Sequence, residues 1–148
     1  MKVYALKGPS RGWKKSLAET QKFLSDSIKN GISRFGWGYT NEADLRKIRN
    51  MKWSDIEKDE LECWKKASFL LGINKGDWIV HINLPHKGEC IAGQVSEPYS
   101  FEEKDNELGD FRHLLKLEKD SIIEFKRNDS RVYPQIRSRL VLDSVDTR

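Results

Sequence analysis

The spacing of apolar residues predicts a strand and then a helix at the start of the chain. Residues 2–7 alternate in hydrophobicity as a strand does, and a Gly-Pro turn ends them. The next apolar positions recur at helical spacing: Leu17, Leu24 and Ile28. Because Ser16 and Glu19 have the spacing of a capping box, we predict a helix over 17–30.

Residues 31–39 interrupt this regularity. Their sequence, G-I-S-R-F-G-W-G-Y, holds three glycines and three aromatic residues. It has the period of neither a helix nor a strand, so we predict a loop. Two helices are predicted after it: a short one capped by Thr40, and a longer one that is capped by Ser54 or Asp55 and ends at Gly72.

The second half of the chain has the pattern of a sheet. Apolar residues dominate 78–84 and 89–95, and the P-H-K-G between them is typical of a hairpin turn. Further strands are predicted over 111–117, 121–125 and 137–142. The acidic and polar residues 97–110 indicate an excursion over the surface. This order predicts an α+β domain whose mixed, mainly antiparallel strands close into a small barrel, with the helices packed outside.

Length and composition indicate one folded domain. The chain has 148 residues, of which 37% are hydrophobic and 34% charged, and this excludes collagenous, low-complexity and wholly disordered proteins. We predict a single domain over 1–142 and a polar tail, or the start of a linker, over 143–148. No apolar run is long enough to span a membrane, and the N-terminus lacks the apolar core of a signal peptide. We therefore expect a cytoplasmic protein without a membrane partner.

Charge is distributed unevenly along the chain. Residues 1–52 hold 12 basic and 4 acidic side chains, residues 53–125 hold 9 and 16, and residues 126–148 hold 6 and 3. If the two basic ends meet in space, as chain termini often do, they form a positive face that suits a polyanion. The alternative is that these cations are scattered over a solvated surface.

Motifs for catalysis are missing. The sequence has no phosphate-binding glycine loop, no dinucleotide fingerprint, no H-E-x-x-H and no G-x-S-x-G. Cys63 and Cys90 form no C-x-x-C pair, and the three histidines lie on separate elements, where core or surface roles explain them. We therefore predict no cofactor, no metal site and no enzyme activity in this chain. One alternative is a small metal-dependent nuclease, which the residue types at four positions permit: Asp110, Asp120, Glu124 and Lys126.

The tryptophans carry the most functional information. Trp64 and Trp78 lie in apolar patterns typical of core residues. Trp13 and Trp37 instead lie in the glycine-rich, basic segments R-G-W-K-K and S-R-F-G-W-G-Y. An aromatic ring beside Arg and Lys can stack an unpaired base while the cations neutralise the flanking phosphates. The alternative is that the aromatic residues of 31–39 plug one end of the barrel.

The order of five segments resembles a known family. These segments are G-I-S-R-F-G-W-G-Y, G-D-W-I-V-H-I-N-L-P, G-E-C-I-A-G-Q-V, Y-S-F and G-D-F-R-H-L-L-K-L. Together they resemble the EVE-like branch of the PUA superfamily, whose fold is shared with YTH domains. The resemblance implies a PUA-like barrel that admits a flipped or single-stranded modified base between aromatic side chains. Similar domains stand at the N-terminus of McrBC-type modification-dependent restriction subunits, or are fused to nucleases.

The resemblance also implies roles for individual residues. Trp37 corresponds to the first wall of the aromatic cage, and Tyr99 and Phe101 are candidates for the second. Candidate contacts to the base edge are Ser33, Asn83 and Leu84. Candidate contacts to phosphates are Arg11, Lys14, Lys15, Arg34 and Arg131.

Together, residues and resemblance predict a non-enzymatic reader of a modified, methylated base in DNA. It would serve as the recognition module of a restriction or defence system, with nuclease or NTPase activity in another domain or subunit. An RNA-binding PUA-like module is the alternative of the same class. The residues leave open which base is modified and how.

Overall fold

The predicted N-terminal strand and helix are confirmed in the computed structural model, which describes residues 1–128. Strand β1 spans Val3–Lys7 and helix α1 spans Leu17–Lys29. The capping box is formed, since the Ser16 hydroxyl oxygen accepts the Glu19 N–H at 3.1 Å. Helix α1 buries Leu24 and Ile28 against the sheet, whereas Leu17 is 36% exposed.

The loop predicted for the glycine-rich segment is wrong in its first half. Strand β2 (Ile32–Phe35) pairs antiparallel with strand β5 (His113–Leu117). Gly31, at a φ of 86°, lets the chain turn directly from α1 into this strand. The strand has no alternating pattern because three of its four side chains are half-buried, so only its partner far along the chain defines it.

The two following helices are shorter than predicted and differ in their caps. Helix α2 spans Leu45–Arg49 and is capped by Asp44, whose carboxylate accepts the Arg46 N–H at 3.0 Å. Thr40 precedes a single 3₁₀ turn and makes no capping hydrogen bond. Helix α3 spans Lys58–Ala67, and a 3₁₀ turn continues it to Gly72.

Within residues 1–128, the sheet has six strands of mixed direction. The remaining strands are β3 (Trp78–Ile82), β4 (Glu89–Phe101) and β6 (Ile123–Lys126). Their order is β1-β3-β4-β5-β2, with β6 also paired to β4, and only the β1–β3 pair is parallel. The predicted hairpin of β3 and β4 is confirmed. Strand β4 continues beyond the predicted end through two register shifts, which bend it, so part of the predicted surface excursion belongs to the sheet.

The α+β class is confirmed, but the sheet described for residues 1–128 is not closed into a barrel. Strands β1 and β2 are the two ends of the strand order and do not pair with each other. The predicted closed barrel is thus corrected to an open, bent sheet with two facing edges. The predicted strand over 137–142, the domain end at 142 and the polar tail over 143–148 lie outside the described residues.

Apolar side chains form two clusters on the sheet. The larger contains residues of all three helices and of β3, β4 and β5. The smaller contains buried residues of β1, β3 and β4, with Trp78 and Phe125 packed against it. Within residues 1–128, no helix has the length and apolarity that crossing a bilayer requires.

Candidate functional site

A cavity of about 350 Å³ lies at the gap between the two edge strands. The end of β1 contributes Leu6 and Lys7, and the end of β2 contributes Phe35. The other lining residues come from the loops beside these ends and from α1, α3 and β3: Gly8, Pro9, Leu24, Arg34, Gly36, Trp37, Lys66, His81, Leu84 and Phe111. The volume is within the range of small-molecule sites. The cavity therefore lies in the gap that the unpaired strands β1 and β2 leave between them.

Two aromatic residues of the cavity have unusual backbone conformations. Trp37 has a φ of 71° and Phe111 a φ of 58°, both in the left-handed region that bulky side chains avoid. Such conformations cost on the order of 1–3 kcal/mol each and are concentrated at functional sites. Both residues with strained backbone therefore line the same cavity.

One buried carboxylate joins the two aromatic loops. Asp110 is 5% exposed and accepts the N–H of Gly38 at 2.7 Å and the N–H of Phe111 at 2.6 Å. Burial raises the pKa of this carboxyl, while the hydrogen bonds from the backbone oppose that shift. Through these two hydrogen bonds, Asp110 holds the loop of Trp37 next to the loop of Phe111.

A chain of buried hydrogen bonds fixes Trp37 from the other side. Because a carbonyl only accepts, His113 Nε2 donates to the Trp37 carbonyl at 3.0 Å. His113 Nδ1 must then accept the Tyr99 hydroxyl at 2.7 Å. The Tyr99 oxygen in turn accepts the Leu45 N–H at 3.1 Å. Burial lowers the pKa of His113 to about 4, so the neutral tautomer that this chain requires is the one present at neutral pH.

The second cage wall predicted from the sequence does not lie at the cavity. Tyr99 is 8% exposed and Phe101 7% exposed, and neither lines the cavity. Phe101 packs against His113 at 5.4 Å between ring centroids. Both were placed in a surface segment, whereas the bent β4 carries them into the core. This corrects the prediction. Besides Trp37, the aromatic residues that line the cavity are Phe35 and Phe111.

His81, a polar residue that lines the cavity, is paired with Ser33, which does not line it. His81 Nδ1 donates to the Ile91 carbonyl at 2.9 Å, so Nε2 accepts the Ser33 hydroxyl at 2.7 Å. Burial lowers the pKa of His81 to about 4, which leaves it neutral. Ser33 is 2% exposed and acts on the cavity through His81. The position of His81 inside an apolar strand predicted a core or surface role; it is 3% exposed and also lines the cavity.

The other two predicted edge contacts have different outcomes. Leu84 is 3% exposed and lines the cavity. Asn83 does not: its side-chain oxygen accepts the Gly88 N–H at 2.9 Å, and its φ is 65°. Asn83 is a turn residue of the β3–β4 hairpin, for which asparagine is suited because it tolerates this conformation.

The residues predicted to contact phosphates differ in whether their charges are free. Arg34 lines the cavity, but both guanidinium nitrogens of its fork bind the Glu102 carboxylate, at 2.9 and 2.8 Å. It is therefore not free for a phosphate, which corrects that prediction. Arg11, Lys14 and Lys15 are exposed on the loop over 8–16 that begins at the cavity rim. Arg131 lies outside the described residues.

Two further lysines stand at the cavity: Lys7, which belongs to the basic N-terminal segment of the predicted positive face, and Lys66, which was not predicted. Lys7 is exposed at the end of β1, and Lys66 Nζ lies 5.9 Å from the centroid of the Trp37 ring. The rim therefore combines cations with a half-buried aromatic ring. That combination suits an aromatic, anionic ligand such as a nucleotide.

Trp37 also lines a second cavity, of about 410 Å³, whose charge is opposite. Tyr39 lines it too. Four of its lining residues are carboxylates: Glu42, Glu57, Asp59 and Glu60. A phosphate would be repelled there, so anions are directed to the side of the lysines.

The four residues of the nuclease alternative are not assembled. Asp110 is used by the backbone of the aromatic loops, and Glu124 pairs with Lys29 at 3.2 Å. Among residues 1–128, no group of three or more His, Cys, Asp or Glu side chains is placed to hold a metal ion.

Comparison of the chain with protein-family models, with curated proteins and with solved structures found no match.

Proposed function

We propose that this protein is a non-enzymatic nucleic-acid reader that takes a modified, methylated base of DNA into the cavity between β1 and β2. The observation that supports the proposal most is the pair Trp37 and Phe111, both held in left-handed backbone at one cavity. A base inserted there stacks against Trp37, while its phosphate lies at the rim near Lys7 and Lys66.

The cavity interior suits recognition of a methyl group. Much of its lining consists of aromatic and aliphatic side chains, and the neutral imidazole of His81, which also lines it, already accepts the Ser33 hydroxyl. One buried methyl group contributes about 0.8 kcal/mol, so selectivity also requires that the unmodified base fill the cavity poorly. Leu84 and Leu24 are placed to make that apolar contact.

The role in the cell follows from the resemblance to EVE-like and YTH-like domains of the PUA superfamily. The cavity lies at Trp37, the residue that the resemblance assigns to the first cage wall. We therefore propose a recognition module of a restriction or defence system in the cytoplasm. Cleavage or motor activity belongs to another domain or subunit.

A binding panel tests this proposal. Fluorescence anisotropy at fixed salt is measured with matched nine-nucleotide DNA and RNA strands that carry 6-methyladenine, 5-methylcytosine, 5-hydroxymethylcytosine or no modification. We expect one modified DNA to bind about four-fold or more tightly than its unmodified match, from the contribution of one methyl group. Equal affinity for all strands would contradict a modified-base reader, and preference for RNA would favour the RNA-binding module.

A further inference from the structure

Three aromatic rings form a row that leads away from the first cavity. The Trp37 and Tyr39 ring centroids are 6.2 Å apart, and those of Tyr39 and Trp13 are 5.3 Å apart. Tyr39 is 44% exposed, so part of its ring is available to a ligand. The row therefore connects the base cavity to the loop over 8–16.

The tryptophan at position 13 carries an unsatisfied polar atom. Its backbone N–H contacts the Thr20 hydroxyl oxygen at 3.4 Å, but its indole Nε1 is buried without a hydrogen-bond partner among residues 1–128. An unsatisfied buried donor costs about 1–3 kcal/mol. A phenylalanine would avoid that cost but would present a smaller ring for stacking.

Charge selects the direction in which a nucleic-acid strand can run. The loop over 8–16 holds three cations and no acidic residue. Tyr39 also lines the second cavity, whose lining includes four carboxylates. A strand whose base occupies the first cavity therefore continues along the loop, where its phosphates meet Arg11 and Lys14.

We infer that Tyr39 and Trp13 form a stacking platform for the one or two bases next to the bound base. This inference rests on the proposed function and extends it. Stacking on both rings requires these neighbouring bases to be unpaired. The preferred ligand is therefore a single strand or an opened duplex, and not a closed duplex from which one base alone has flipped.

The test compares short and long ligands on the same variants. The short probes are the 5′-monophosphates of N6-methyldeoxyadenosine and 5-methyldeoxycytidine, and the long probes are nine-nucleotide strands that carry the same bases at the centre. Tyr39→Ala and Trp13→Ala are compared with Trp53→Ala, which removes a 70% exposed ring that lines neither cavity. We expect each of the first two to weaken nine-nucleotide binding about 5- to 150-fold, the effect of one lost stack. The monophosphate affinity should stay within about two-fold.

The outcomes separate the platform from the cavity. If the monophosphate binds but both variants bind the nine-nucleotide strand as the wild type does, the platform is refuted and the cavity stands. If the wild type binds neither probe, both proposals fail. Retained monophosphate binding shows that a variant is folded, and Tyr39→Ala alone decides the question if Trp13→Ala is unstable.

Discussion

Replacing Trp37 by alanine is expected to weaken binding of the modified strand about 5- to 150-fold. This is the effect of losing one base stack, since Trp37 is the aromatic residue that borders both the cavity and the cationic rim. Alanine at a φ of 71° keeps the backbone strain but removes the ring. Trp37→Phe should recover part of the affinity because it retains a smaller stacking surface. Anisotropy with the preferred strand measures all three proteins.

Two controls make this result specific. Trp53→Ala removes a ring that is 70% exposed and should leave the affinity unchanged. Phe111→Ala removes the other strained aromatic residue and should weaken binding as well. Wild-type affinity in a folded Trp37→Ala protein would exclude this cavity as the base site and assign the aromatic residues of 31–39 to packing alone.

Lowering the pH from 7.5 to 5 is expected to remove about 4 kcal/mol of stability through two buried histidines. Burial lowers the pKa of His81 and of His113 from 6.5 to about 4. Below pH 6.5 the unfolded chain binds these protons and the folded protein does not, so the free energy of unfolding falls as the pH falls towards 4. The shift corresponds to about 2 kcal/mol for each histidine at pH 5. Urea unfolding at several pH values measures it.

Other titrating groups change this profile in known directions. The raised pKa of Asp110 acts oppositely, because the folded protein binds that proton first. Arg34 holds the pKa of Glu102 below its ordinary 4.5, so the contribution of this pair is lost only at more acidic pH. His81→Gln and His113→Gln should each flatten the slope between pH 7.5 and 5, whereas His86→Gln, exposed in the hairpin turn, should not. A slope that neither buried variant changes would contradict the neutral tautomers assigned here.

Sequence reasoning was accurate where structure is local. The capping box of Ser16 and Glu19 and the β3–β4 hairpin are set by residues close together in the chain, and both formed as predicted. Strand β2 was missed because its pattern is irregular and its partner β5 lies about 80 residues later. The same non-local pairing, with the bend of β4, buried Tyr99 and Phe101.

The candidate site was predicted in part for the same reason. Trp37 and Leu84 were found because an aromatic residue between glycines and an apolar strand end are visible in the sequence. Phe111 was missed because it was assigned to the start of a strand, whereas its φ of 58° sets it in the loop before β5. The hydrogen bonds that hold Trp37 join residues of α2, β4 and β5 to the loops after β2 and before β5, and no local pattern reveals them.

The most direct test of the base cavity is an NMR measurement of intermolecular NOEs. The protein is saturated with a nine-nucleotide strand that carries the preferred modified base, isotope-labelled at its methyl group. We predict NOEs from that methyl group to the Trp37 ring, the Phe111 ring and the Leu84 methyl groups, which all line the cavity. NOEs to surface residues alone, with none to these three, would contradict insertion of the base between β1 and β2.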